Sequence, residues 1–394
     1  MPSAVADAQI AINPTPAAHF GIGAIGKLPG VVRAVGCDAA VIVTDAVLAE
    51  TPVVARVAEV LADAGVAVST FAGVHPNPTT ADIAAGADVV AEAAARSGRV
   101  GLVAVGGGSP IDAAKGIALA AVNPQRGRDL DYRSAFRVPA LPIVAVPTTA
   151  GTGAETNAFG VVTDPGTRRK FYVGHASTLP AAAVLDPDLT IGLPPPATAA
   201  TGMDALTHAL ESYLSVRANP WSDGIALQVI RMVAANLPRA YADGTDREAR
   251  SQMLLAGHMA GIGMSTTGLG ACHAIGHSIG GRFGVAHGVA LTMVLPQVLE
   301  FNAAVCADRM PDIAFALGVG RAGRTAGWHT GAVIAAVARL AELIGMTHAL
   351  ADFGISAADF DQIAADALDD EVLANTPRRP ESADIRSILL AARQ

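Results

Sequence analysis

From residue 39 onward, short apolar runs alternate with longer alanine-rich stretches whose apolar residues recur at helical spacing. Runs of four to six apolar residues between turn formers read as buried strands, and the longer periodic stretches read as helices. The spacing predicts strands over 39–44, 66–70, 101–105, 143–146 and 182–185, with helices over 53–64, 79–97 and 111–121 between them. Strands that alternate with helices build a parallel sheet with helices on its faces. After Asp186 the texture changes. Leu193-Pro194-Pro195-Pro196 can continue neither a strand nor a helix and marks a boundary. Beyond it helical patterns follow one another as far as 388–392, with few β-branched runs.

A chain of 394 residues exceeds what one core usually serves, so two domains are expected. The pattern places an α/β domain of nucleotide-binding type over 1–188 and an all-helical domain over 189–394. A net charge of −8 and a pI near 5.6 argue against nucleic acid as a partner, because no basic stripe is present to neutralise phosphates. The mean hydropathy of +0.41 is high, yet charge, glycine or proline interrupts the apolar stretches before they reach membrane-spanning length, so no membrane association is expected. Cys37, Cys272 and Cys306 are odd in number and widely spaced, which fits a reducing, cytoplasmic setting. Met1-Pro2-Ser3-Ala4-Val5-Ala6-Asp7 does not read as a secretory signal.

Candidate chemistry concentrates in four residues of the second half. Asp204 and His208 are four apart in a helical run, so their side chains share a face and can reach one ion. His273 and His287 are fourteen apart, about four helical turns, so one straight helix cannot present both to the same ion. A break at Gly280-Gly281 or Gly284 would have to fold the chain back. Three imidazoles and one carboxylate suit Fe(II), Zn(II), Co(II) or Ni(II), and the ligand types alone do not choose among them. Cys272, next to His273, reads as a small core residue rather than a fifth ligand.

The first half carries glycine-rich loops. Strand 101–105 runs into Gly106-Gly107-Gly108-Ser109-Pro110 and then a helix. A side-chain-poor turn before a helix N-terminus, whose unpaired N–H groups favour negative charge, makes a diphosphate cradle. Pro147-Thr148-Thr149-Ala150-Gly151-Thr152-Gly153 follows another strand and could meet the other side of a dinucleotide. Gly21-Ile22-Gly23-Ala24-Ile25-Gly26 fits the glycine fingerprint by letter, but residues 16–20 make a poor buried strand, so it reads as a structural turn. Asp45 ends the strand 39–44, where it either accepts from ribose hydroxyls and so favours NAD over NADP, or caps a helix.

Together these segments resemble the iron-containing, or group III, alcohol dehydrogenase family over nearly the whole chain. The resemblance rests on Val43-Thr44-Asp45, Pro76-Asn77-Pro78-Thr79, Gly106 to Lys115, Pro147 to Glu155, Gly202 to Ala209 and His273 to Gly288. It implies a dinucleotide domain followed by a helical domain, an architecture shared with dehydroquinate synthases, with the active site in the cleft between them. It implies NAD lined by Asp45, Asn77, Gly107, Gly108, Ser109, Thr148, Thr149, Val161 and Lys170, and Fe(II) or another divalent ion held by Asp204, His208, His273 and His287. The substrate would be a small alcohol, diol or hydroxy acid interconverted with its carbonyl compound, and the assembly a homodimer or larger. His277 falls on a family histidine near nicotinamide and substrate, where it either relays protons or orients the metal site. Retention of all four candidate ligands argues against the metal-free maleylacetate reductase branch. A lyase resembling dehydroquinate synthases, or an enzyme that keeps NAD bound and passes hydride to a second substrate, remain as alternatives.

Overall fold

The computed structural model describes residues 10–167 and 169–393; the segment 1–7 lies outside the described residues. Its strands are β1 (Ala17–Phe20), β2 (Ala39–Asp45), β3 (Ala67–Val74), β4 (Val100–Gly106), β5 (Ile143–Pro147), β6 (Phe159–Asp164), β7 (Arg169–Gly174) and β8 (Ala182–Leu185). Six form one sheet in the order β1-β8-β5-β4-β2-β3, with every neighbouring pair parallel. Successive residues of the central strands enter opposite cores. Val41 and Val43 pack with Leu102 on one face, and Ala40 and Ile42 with Val103 on the other. Burial on both faces explains the uninterrupted apolar runs, and each fully buried valine, leucine or isoleucine contributes about 1.5–3 kcal/mol.

The strand order sets the functional geography. From β2 the chain moves outward to β3, whereas from β4 it moves the opposite way to β5. The neighbouring carboxyl ends of β2 and β4 therefore form a topological switch point, where ligands of open α/β sheets bind. Asp45 ends β2 and the Gly106-Gly107-Gly108 turn follows β4.

Two elements were not anticipated. β1 forms within the segment read as a poor buried strand, and it is indeed not a buried one. It pairs in parallel register with β8 but lies at the sheet edge, with Ala17, Ala18 and Phe20 exposed, so it carries no buried apolar run. The antiparallel hairpin β6–β7 forms a separate two-stranded sheet.

Among the described residues two compact units are present, 15–193 and 194–393, the latter joined by residues 10–14. The division falls five residues after the expected boundary at 188, because the turn Pro187–Thr190 belongs with the sheet unit. Pro195 and Pro196 start the next helix rather than only ending the previous element, since proline suits the first turn. The second unit contains the helices Pro195–Leu214, Pro220–Ala242, Arg247–Thr267, Ala271–Phe283 and His287–Cys306, followed by shorter ones through Ser382–Ala391. The stretch His287–Ala316 is long and apolar enough to cross a membrane by length and composition, a correction to the expectation that none would be. More than half of its most apolar window is buried within the protein, as in the core helix of a globular unit.

Candidate functional site

Asp204 and His208 project from the middle of the helix Pro195–Leu214, and both are buried. His273 lies in the first turn of Ala271–Phe283. That helix stops at Gly284, whose φ of 67° is the left-handed conformation glycine tolerates best, and the chain turns so that His287 opens the next helix. Of the breaks considered from the sequence, Gly284 is the one used.

The three Nε2 atoms converge on a single oxygen. His208, His273 and His287 place Nε2 at 3.3, 3.5 and 3.6 Å from Asp204 Oδ1. Ligands bound at about 2.1 Å in a tetrahedron lie roughly 3.4 Å apart, so the spacing matches a shared ion. Asp204, His208 and His273 have ligand atoms all within 4.8 Å of one another. His287, 31% exposed, occupies the more open side of the group.

Asp204 Oδ1 and His273 Nε2 are buried without a hydrogen-bond partner. Leaving such atoms unsatisfied costs about 1–3 kcal/mol each, a cost a cation would remove. Burial opposes the charge on Asp204, but His208, His287 and His273 outweigh it and hold the carboxyl well below its usual range. Burial likewise disfavours charge on His273, yet Glu211 and Asp204 raise it to about 9. The donor set thus fits a divalent ion by spacing, by orphaned atoms and by charge. Cys272 is not part of it: its thiol donates to Leu291 O at 3.5 Å, and burial pushes its pKa up.

Two partners escaped the sequence reading. Glu211, three residues after His208, accepts from His273 Nδ1 at 2.6 Å. Asp370 Oδ2 lies 2.7 Å from Nδ1 of His277, whose ring stacks on that of His287 at 5.4 Å between centroids. A carboxylate one turn beyond a ligand is a readable signal for Glu211. Asp370 is ninety-three residues from His277, and no local pattern announces it.

In the sheet unit, Gly107 caps the helix Gly108–Ala120 without any side-chain cap, so its first N–H groups are left for a ligand. A Cβ on Gly107 would lie 3.1 Å from Thr149, and one on Gly108 would lie 3.0 Å from Thr152. The glycines therefore also admit the second loop, whose Thr148 N–H donates to Gly106 O at 2.9 Å. Ser109 lies in the first turn of the same helix and is partly exposed. Asp45 Oδ1 accepts from Leu48 N at 2.8 Å, so the capping role is real, and the carboxylate retains further acceptor capacity.

Asn77 alone among the described non-glycine residues has a positive φ, 56°, and its Oδ1 accepts from Lys170 Nζ at 2.9 Å. Val161 N donates to Asp112 Oδ2 at 3.0 Å. The buried Lys115 donates to Ala154 O at 2.8 Å, to Asn157 Oδ1 at 3.1 Å and to Phe159 O. Asp112 and Lys115, on the helix Gly108–Ala120, thereby fix the β6–β7 hairpin on which Val161 and Lys170 lie.

The Gly21–Gly26 turn has a different fate. Asp186, fully buried, accepts from Gly23 N at 3.2 Å and from Ile25 N at 3.1 Å. An internal carboxylate occupies the N–H groups that a phosphate would need.

Comparison with known proteins places these features in context. Residues 15–187 match the model of iron-containing alcohol dehydrogenase, and 198–393 match that of the Fe-containing alcohol dehydrogenase family, C-terminal. The chain is 38% identical to a probable alcohol dehydrogenase, EutG, of Salmonella typhimurium, over 96% of this chain and 93% of the relative. It is 34% identical to an NAD-dependent methanol dehydrogenase of Bacillus methanolicus, covering 95% and 97% of the two chains. The solved structure of a 1,3-propanediol oxidoreductase superposes with a TM-score of 0.93 at 36% identity, covering 98% of this chain and all of that one.

Proposed function

This chain belongs to the iron-containing alcohol dehydrogenase family, and from that premise we propose that it interconverts a small primary alcohol or diol with its carbonyl compound, using NAD and a divalent ion held by Asp204, His208, His273 and His287. The observation that carries this reading is the approach of three imidazole nitrogens to Asp204 Oδ1 at 3.3–3.6 Å. When bound, the ion supplies Lewis acidity toward an alcohol or carbonyl oxygen, and NAD supplies the hydride acceptor or donor.

The chain's own groups do the rest. The uncapped helix start at Gly107-Gly108-Ser109, with Thr148 and Thr149, holds the diphosphate. Asp45 accepts from the ribose hydroxyls and repels a 2′-phosphate, which selects NAD over NADP. Asn77, Val161 and Lys170 line the cofactor from the loop after β3 and from the β6–β7 hairpin. Asp370 accepts from His277 Nδ1, which leaves Nε2 as the nitrogen that takes up and returns a proton. We place the enzyme in the cytoplasm as a homodimer or larger assembly; its three free, buried thiols suit a reducing compartment.

The test is anaerobic NADH production from a panel of primary alcohols and diols by metal-stripped protein, with and without Fe(II) or Zn(II). Metal-dependent turnover is expected. Silence throughout, with stoichiometric NAD(H) released on denaturation, would point instead to a cofactor that never leaves. His277→Ala should retain metal and lose about 100-fold or more in turnover; undiminished turnover would remove His277 from the proton path.

A further inference from the structure

Glu211 is buried and ionisable, and it is outside the ligand set just proposed. It follows Asp204 by seven residues and His208 by three, which places it on the same helical face. Its carboxylate makes three bonds to one neighbouring segment. Oε2 accepts from His273 Nδ1 at 2.6 Å and from Gly270 N at 2.8 Å, while Oε1 accepts from Cys272 N at 2.7 Å. These N–H groups belong to the start of the helix Ala271–Phe283, whose N-cap is Gly270 and which has no cap from its own side chains. A Cβ on Gly270 would lie 3.0 Å from Glu211 Oε1, so glycine there lets the carboxylate close on the helix end.

We propose that Glu211 is the positioning residue of the metal centre. It holds His273 as the Nδ1–H tautomer and anchors the backbone just before that residue, at Gly270 and Cys272, so that the Nε2 lone pair is presented to the ion. A neutral imidazole donates from one nitrogen and accepts at the other, so an acceptor fixed on Nδ1 decides which nitrogen is free to ligate. Of the two ring nitrogens of His273, Nδ1 is held by Glu211 and Nε2 is buried without a hydrogen-bond partner. The negative charge beside Nδ1 also makes the ligating nitrogen more basic. Through its two backbone contacts Glu211 further fixes where the ring starts from, joining one ligand-bearing helix to the first residues of the next.

This inference rests on the proposed ligand set, and the experiment separates the two. Zn(II) affinity is measured by competition with a chromophoric chelator, and the Co(II) absorption spectrum is recorded for wild type, Glu211→Ala, Glu211→Gln, His273→Ala and Leu210→Ala. Metal-free circular dichroism and thermal melting accompany each protein. Leu210, fully buried on the same helix and without a hydrogen-bonding side chain, supplies a general packing loss. Glu211→Ala is expected to weaken Zn(II) binding about 10–100-fold and to alter the Co(II) spectrum. Glu211→Gln keeps the volume and folds even if the alanine variant does not; it cannot accept from all three donors at once, and it is expected to weaken binding about tenfold. Leu210→Ala should lower the melting temperature and leave affinity unchanged. Wild-type affinity in both Glu211 variants, with loss in His273→Ala, would overturn the positioning role and leave the ligand set standing. Wild-type affinity in His273→Ala would overturn the ligand set itself. Equal losses in Leu210→Ala and Glu211→Ala at equal destabilisation would reduce Glu211 to a helix cap.

Discussion

Gly288 tests how closely two ligand-bearing helices must approach. It sits in the first turn of His287–Cys306, next to the candidate ligand His287. A Cβ built there would lie 2.0 Å from the carbonyl oxygen of Ala200 and 2.6 Å from its carbonyl carbon, both backbone atoms of the helix that bears Asp204 and His208. A carbon and a carbonyl oxygen normally rest about 3.4 Å apart, so Gly288→Ala must separate the helices by roughly 1.4 Å at that point. If His287 moves with its helix, its present 3.6 Å to Asp204 Oδ1 grows to about 5 Å. Two bonds of about 2.1 Å to one ion span at most about 4.2 Å, so the fourth ligand is lost. Overpacking of this kind costs about 1–3 kcal/mol. For a unit of this size that lowers the melting temperature by about 4–8 °C near the middle of the range. Metal affinity should fall about tenfold or more, as it does when a ligand's support is removed. Calorimetry of the metal-free protein reads the first effect and chelator competition the second. Wild-type values for both would refute the close approach, and a lowered melting temperature with unchanged affinity would remove His287 from the ligand set.

Three further outcomes are expected. In metal-free protein, the raised pKa of His273, about 9, makes its contribution complete below its unfolded value near 6.5 and lost as pH rises through 9. The loss is on the order of 3 kcal/mol. Zn(II) affinity should rise over the same window because the ion needs Nε2 unprotonated, and chemical denaturation with and without Zn(II) at about pH 6 and pH 9.5 would expose a flat response as contrary. Asp186→Ala strands the N–H groups of Gly23 and Ile25, costing about 1–3 kcal/mol each at most, with KM for NAD unchanged. A raised KM would make that turn part of the cofactor site. Lys115→Met leaves the partly buried Asp112 without its nearest cation and Ala154 O without its lysine donor, and should destabilise the sheet unit by about 3–5 kcal/mol, seen as an earlier urea midpoint; an unchanged midpoint would show that the pair contributes nothing.

What was legible in the sequence follows from where each residue's constraint originates. Strands β2, β4, β5 and β8 announce themselves because both faces are buried, so nearly every position must be apolar. β1 is held by backbone pairing to β8 at an exposed edge, and backbone pairing leaves little mark on side-chain choice. The β6–β7 hairpin owes its position to the buried Lys115 of another helix, a contact across some forty residues. Within the helical unit, Asp204 and His208 are visible as a pair because helical geometry brings them together, and Glu211 continues the same face. The approach of His273 and His287 depends on Gly284 adopting a left-handed conformation, which the sequence permits without fixing the angle. Asp370 reaches His277 only through tertiary packing.

The two glycine-rich turns show what a motif can and cannot report. Gly21 to Gly26 follows a strand and leads into helical turns, so it satisfies more of the dinucleotide fingerprint than the sequence suggested. What separates it from an anion site is therefore not conformation. Glycines certify that a backbone can turn tightly and be approached closely; they do not certify that its N–H groups are free. At this turn two of those groups already bind Asp186, whose carboxylate is sealed from solvent, and an incoming phosphate would have to displace it and meet its charge. At Gly107-Gly108-Ser109 a longer helix begins at the topological switch point with no side-chain cap, so its dipole and first N–H groups favour a negative partner. The distinction lies in the acceptor that answers each turn, and Asp186 is 163 and 161 residues away from the Gly23 and Ile25 N–H groups it occupies.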